Sequence, residues 1–89
     1  MPAISMFFGI VVYLYFFDNQ RHHSPHIHAE YGEHEGTFTI SDAEMIEGDL
    51  PNKQRKLVSA WIEIHKEELM ADWQLAVTGQ KVFDIDPLR

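Results

Sequence analysis

Five of the six histidines in this 89-residue chain lie between residues 22 and 34. The middle of that segment, Pro-His-Ile-His-Ala-Glu, is predicted to form a strand. Because successive side chains of a strand point to opposite faces, His26, His28 and Glu30 share one face. Imidazole and carboxylate groups on one face can ligate a divalent transition metal such as Zn²⁺, Ni²⁺ or Cu²⁺, with His23 as a further ligand from the preceding loop. The spacing therefore indicates a candidate metal site.

Two other hypotheses account for the same histidines. His26 and His28 are candidate catalytic residues, because a pair of imidazoles can hold one base and one acid near neutral pH. Phosphoryl transfer or RNA cleavage would suit such a pair, with Arg21 or the cationic cluster at residues 53–56 stabilising the developing charge. The third hypothesis treats the histidines as hydrogen-bonded structural or interface residues on a half-exposed sheet. Spacing alone does not decide between the three.

A predicted hairpin positions these histidines. Residues 26–31 and 36–40 are the strands, and residues 32–35 form the turn region. A turn centred on Glu33 and His34 separates an apolar face from a polar one. In that register the opposing pairs are Ala29 with Phe38, Ile27 with Ile40, His28 with Thr39, Glu30 with Thr37 and His26 with Ser41.

The long apolar run at residues 3–17 is interpreted as a buried strand, from Ile10 to Phe17, with a lead-in. It is shorter than the roughly 20 residues that a membrane-spanning helix needs. No Lys or Arg precedes it, and polar residues follow it, so it does not resemble a signal peptide. Gly9 marks the start of the strand or a bulge. Such a strand is hazardous as an open sheet edge, so we expect it to be central or to pair across a dimer.

The second half of the chain has the three- and four-residue apolar spacing of helices. Pro51 suits the first turn, and Gly79 is a natural C-terminal cap. The pattern fits one bent helix or two helices with a break near residues 65–67. A short strand is predicted at Glu44–Glu47. His65 is interpreted as a satisfied, semi-buried residue, and Trp61 and Trp73 as core residues.

These elements predict an α+β fold: a small antiparallel sheet of three to four strands in the N-terminal half, packed against one bent or two consecutive C-terminal helices. The chain is predicted to be a single domain over residues 1–89. Its β-rich part covers 8–47, its helical part covers 51–78, and a short C-terminal tail or strand covers 81–86. The helices should cover the apolar face that carries Ile27, Ala29, Phe38 and Ile40.

The amino-acid composition limits the classes of function that the chain could have. The formal net charge is −7, and the chain has no cysteine. Disulfides, thiolate metal sites and a cysteine nucleophile are excluded, and the absence of cysteine suits a cytoplasmic protein. Direct nucleic-acid binding is not favoured, because it normally needs a basic patch. No nucleotide-binding or hydrolase motif of the common classes occurs.

Three segments resemble a bacterial family of small uncharacterised proteins, the domain of unknown function numbered 4160. They are the opening MPAISMFFGI, the segment SPHIHAEYGEHEGTFTI and the helical SAWIEIHKEELMADWQLA, which together cover nearly the whole chain. The His-x-His-Ala step, here His26, His28 and Ala29, matches the signature of that family. Two departures weaken a phosphate-handling role: Ser24 replaces the first residue of a frequent Pro-Pro pair, and Met6 stands where the family often has a basic residue.

The resemblance implies a role through a protein partner. Proteins of this family look like members of small two-gene modules with suspected toxin–antitoxin-type roles. We therefore expect a protein-interaction module that binds a partner or a second copy of itself, with no membrane association. A His-based or metal-dependent enzyme acting on RNA or a phosphoester, and a metal-binding protein, are the alternatives.

Overall fold

The computed structural model describes residues 3–14 and 24–89 of the chain. Five strands form one antiparallel sheet in which each strand pairs with its neighbours in sequence, and two helices follow. The chain is α+β, as predicted, but the sheet has five strands and not three to four. The strands are β1 (Ala3–Phe7), β2 (Ile10–Tyr13), β3 (His26–Tyr31), β4 (His34–Thr39) and β5 (Met45–Gly48), and the helices are α1 (Asn52–Ile64) and α2 (Lys66–Val77).

The additional strand comes from the N-terminal apolar run. A two-residue turn at Phe8 and Gly9 divides this run into β1 and β2, so the prediction of one strand with a lead-in was wrong. Both turn residues have positive φ angles, 50° and 79°. This is the backbone of a tight hairpin turn whose twist matches that of its strands, and glycine adopts it without steric cost. Residues 15–17 of the predicted strand lie outside the described residues.

The predicted hairpin of β3 and β4 exists, but its register differs from the prediction by two residues. The turn is Gly32–Glu33, and the structure pairs Ile27 with Phe38 and Ala29 with Gly36. Because side chains alternate between faces, a shift of two residues changes every partner and leaves every side chain on its predicted face.

The prediction of a short strand at Glu44–Glu47 is confirmed by β5, the last strand. The backbone of β5 lies very close to that of β4. Gly36 and Gly48 face each other across the two strands, and Gly48 has a φ angle of 103°. A Cβ atom at Gly48 would overlap the carbonyl oxygen of Glu35. Glycine is therefore required here by both backbone conformation and space.

The helical half consists of two consecutive helices that meet at His65. Gly79, with a φ angle of 78°, ends α2 in a Schellman motif. Its N–H donates to the carbonyl of Ala76, and the N–H of Gln80 donates to that of Leu75. Neither helix is long and apolar enough to cross a membrane.

One hydrophobic cluster joins the sheet to the helices. The apolar residues predicted on one face of β3 and β4 are fully buried, and the ring of Phe7 lies 5.4 Å from that of Trp61 on α1. The helices thus contribute to the same core as the predicted apolar face. Its fully buried members include Ile10, Val12, Leu14, Ile27, Ala29, Phe38, Ile40, Val58, Trp61, Ile62 and Leu69.

Candidate functional site

His26 occupies the first position of β3 and is completely buried. Its Nδ1 atom lies 2.8 Å from the carbonyl oxygen of Ser24. A carbonyl only accepts, so Nδ1 carries the proton in this hydrogen bond, and Nε2 is the acceptor nitrogen of the neutral ring. On another side the imidazole contacts Trp73 of α2, with ring centroids 5.0 Å apart. The orientation of His26 is therefore set by a backbone carbonyl and an aromatic ring.

His28 lies beside His26 on the polar face of β3 and is only partly buried. The two imidazole centroids are 5.1 Å apart, and the rings are nearly perpendicular. Nδ1 of His28 lies 3.3 Å from the hydroxyl of Thr37, its partner across the β3–β4 ladder. The structure therefore brings together the two histidines that the sequence predicted on one face.

The other predicted metal ligands do not complete a site within the described residues. Glu30 shares the face of His26 and His28 but lies opposite Glu35 in the ladder. Over residues 3–14 and 24–89, no three His, Cys, Asp or Glu side chains are arranged to hold a metal ion. His23 lies outside the described residues, so a fully assembled metal site stays a prediction.

The catalytic hypothesis needs a cation near the histidines. Arg21 lies outside the described residues, and the other predicted cations are on α1. There Arg55 donates to the Oδ1 atom of Asn52 at 2.8 Å, and it lines a surface groove together with Lys56. His26 is inaccessible to solvent in this conformation. An acid–base role for the two histidines stays a prediction.

His65, at the junction of the two helices, has the structural role that the sequence indicated. Its Nδ1 atom lies 2.6 Å from the Oε1 atom of Glu68, and its ring centroid is 5.6 Å from that of Trp61. A carboxylate and an aromatic ring thus satisfy this semi-buried histidine.

A different surface lies at the sheet edge formed by β1, where Met6 and Phe8 are 65% and 59% exposed. Because Phe7 and Ile10 close a two-residue turn, Met6 directs its backbone N–H and C=O away from β2. A groove of about 300 Å³ runs beside it, lined by residues 3–6 and by Asp84, Ile85 and Pro87. We call Met6, Phe8 and this groove the β1 surface.

The C-terminal tail, residues 81–89, has no regular secondary structure, and hydrogen bonds attach it to the sheet and to both helices. The N–H of Ile85 donates to the carbonyl of Ile4 at 2.8 Å, so the tail covers part of the β1 edge. The N–H of Phe83 donates to Oδ1 of Asp72 at 3.0 Å. The indole of Trp61 donates to the carbonyl of Asp86 at 2.8 Å.

Asp72 of α2 is the residue that sequence reasoning missed. It is only 3% exposed, and its Oδ2 atom has no hydrogen-bond partner in the part of the chain that the structure describes. Burial raises the pKa of this carboxyl above its ordinary value of 3.8, and the nearby Asp84 and Glu68 raise it further, while the N–H of Phe83 opposes the shift. Its place between Leu69 and Trp73 in the helical apolar pattern was the available signal.

Comparison with known proteins gives one match. The model of a family described as a domain of unknown function, DUF4160, matches residues 9–74. This range includes β2 to α1 and most of α2, together with His26 and His28. No curated protein and no solved structure matches the chain.

Proposed function

We propose that this chain, which belongs to the DUF4160 family of unknown function, is a cytoplasmic protein-interaction module whose β1 surface binds a partner protein. The two-gene, toxin–antitoxin-like setting is what the sequence resemblance implies, and we include it as part of the proposal. The observation that carries the proposal is the uncharged, apolar edge strand with exposed Met6 and Phe8.

The contrast between the two sheet edges supports this proposal. β5, at one edge, carries Glu47 and is flanked by Glu44 and Asp49. Charged residues on an edge strand discourage pairing with other chains. β1, at the other edge, has the sequence AISMF with no charge. Natural sheets normally protect or cover such an edge, so a binding partner explains why this one is apolar.

Charge complementarity favours a basic partner over a second copy. The chain has 14 acidic residues against seven Lys and Arg, and Asp84 lines the groove beside β1. Two copies would bring two charges of −7 together, which opposes association. An extended apolar segment of a partner would hydrogen-bond to the outward backbone N–H and C=O of Met6. A Lys or Arg beside that segment would pair with Asp84 in the groove.

The test is co-purification of the untagged chain with the product of the gene adjacent to its own, followed by light scattering. We expect a stable complex that Met6→Lys disrupts and that the matched change Ile46→Lys, at the exposed β5 edge, leaves intact. A chain that is monomeric and forms no complex with that protein would contradict the proposal. A homodimer that Met6→Lys disrupts and Ile46→Lys leaves intact would show that a second copy occupies the surface.

A second candidate function, metal binding, is favoured by the orientation of His26. Metal-ligating histidines usually donate their other ring N–H to a carbonyl or carboxylate, as Nδ1 of His26 does to Ser24. We propose His26 and His28 as ligands, completed by His23. Elemental analysis of untagged protein, purified without a nickel column, should then give about one Zn²⁺ or Ni²⁺ per chain.

The matched variants are His26→Ala, which should lose the metal, and His34→Ala on the exposed part of β4, which should keep it. A metal content well below one per chain in the wild type would count against metal binding. Retention of metal by His26→Ala would show that the site does not depend on this β3 histidine, and loss of metal in both variants would show that the loss is not specific to it.

A further inference from the structure

The groove that Arg55 and Lys56 line lies between helix α1 and the start of β5, the strand at the opposite edge of the sheet from β1. It has a volume of about 390 Å³, and its other lining residues are Glu44, Met45 and Ser59. A volume of this size is in the range of sites that hold a small organic ligand. The groove shares no residue with the β1 surface or with the proposed metal site.

The wall that α1 contributes consists of hydrogen-bond donors. Arg55, Lys56 and Ser59 share one face of the helix, because residues three and four apart are neighbours on a helix surface. They present a guanidinium, an ammonium and a hydroxyl group, which are donors that bind phosphate oxygens. Asn52, one turn earlier, accepts a hydrogen bond of 2.8 Å from Nη2 of Arg55 and so helps to orient the guanidinium.

The positive charge of this wall is local. Residues 50–62 include three Lys or Arg and no acidic residue, although the whole chain has 14 acidic residues against seven Lys and Arg. In the part of the chain that the structure describes, no ion pair joins Glu44 to Arg55 or Lys56 across the groove. Because the two cations are adjacent and repel each other, an anion between them is favoured.

The wall that β5 contributes has a different chemistry. Glu44 is exposed, and its carboxylate accepts hydrogen bonds from hydroxyl groups but repels further phosphate groups. Met45 packs partly against the core and adds an apolar surface. A polyanion such as a nucleic acid is disfavoured by Glu44 and by the net charge of −7. A ligand with one anionic group at one end and hydroxyl groups at the other fits both walls.

We propose that this groove binds a small phosphomonoester that carries hydroxyl groups, such as a sugar phosphate. Arg55, Lys56 and Ser59 bind the phosphate, whose three terminal oxygens match three donors better than the two oxygens of a carboxylate do. Glu44 accepts hydrogen bonds from the hydroxyl groups, and Met45 contacts the apolar face of the sugar. The site does not depend on the partner proposed for β1, so the two proposals fail separately.

Titration of the full-length, untagged chain with glucose 6-phosphate, followed by NMR, tests this proposal. We expect saturable shifts of the amide signals of Met45 and Lys56. The amide of Gly9, in the turn at the opposite sheet edge, should not shift. Glucose should cause no such shifts, and inorganic phosphate should bind more weakly than glucose 6-phosphate. Saturable shifts with glucose, or none with glucose 6-phosphate, would overturn the proposal.

Four exposed side chains provide the variants. Arg55→Gln and Lys56→Gln should each raise Kd for glucose 6-phosphate about tenfold, because each removes a charged hydrogen bond. Lys53→Gln is the matched control: it makes the same charge change on the same helix outside the groove lining, and it should change Kd by less than about twofold. Glu44→Ala should remove the preference for glucose 6-phosphate over inorganic phosphate. Equal weakening by Lys53→Gln and Lys56→Gln would overturn the site, and a preference that survives Glu44→Ala would overturn the role of Glu44.

Discussion

Shortening Met6 and Phe8 should weaken binding without weakening the fold. Fully burying a Met or Phe side chain is worth about 1.5–3 kcal/mol. Met6 is 65% and Phe8 59% exposed in the isolated chain, so these fractions remain to be buried by a partner. Multiplying the burial free energy by the exposed fraction gives a contribution of about 1–2 kcal/mol to the binding free energy from each side chain. Met6→Ala and Phe8→Ala should therefore each raise Kd by about 5–30-fold.

The assay is a calorimetric titration of each variant with the co-purifying protein, beside thermal unfolding of each variant alone. Ile46→Ala is the control, because Ile46 is also an exposed apolar side chain, 49% exposed, on the opposite sheet edge. We expect an unchanged Kd for this control and little change in Tm for all three variants, since each side chain lies largely in solvent. If Ile46→Ala weakens the complex as much as Met6→Ala, or if neither β1 variant changes Kd, the assignment of the surface is wrong.

Three further predictions concern the fold. Gly48→Ala should destabilise the chain by about 2–5 kcal/mol in urea unfolding, because the cost of the unfavourable backbone conformation adds to the overlap with Glu35. Gly32 has open space around it and a φ angle of 58°, so Gly32→Ala should cost only about 1–2 kcal/mol. Equal losses in the two variants would contradict this reasoning. Phe38→Ala should cost about 3–5 kcal/mol, measured in the same way, because the ring is fully buried. The free energy of unfolding should fall as the pH rises from 3.8 through the raised pKa of Asp72, and Asp72→Asn should remove that part of the pH dependence; parallel pH profiles would refute the assignment.

Local signals were sufficient for much of the fold. Gly79 ends α2 as its position predicted, because a left-handed cap needs glycine. The break at His65 was also visible, since the apolar spacing could be read as two helices meeting near this residue. Face assignment on β3 and β4 was correct because it depends only on alternation. The predicted register of β3 and β4 was wrong, because register depends on which two residues form the turn.

The histidine site was predictable only in part, for a physical reason. Two residues apart on a strand, His26 and His28 must share a face, and their rings do meet. The contact of Trp73 with His26 joins residues 47 positions apart, and no local pattern indicates such a pair. The partner of His28 depended on the register, so Thr37 was assigned to Glu30 instead.

We propose that β1 combines its observed folding role with a binding role in five residues. Strict alternation would place Ile4 on the same outward side as Met6. A bulge between Ala3 and Ser5 changes this order, so that Ile4 and Phe7 are buried while Met6 remains exposed. The two roles therefore use different side chains of one strand. Truncating Ile4 or Phe7 should lower Tm, whereas truncating Met6 should raise Kd alone, and a strand that served only the core would show no such separation.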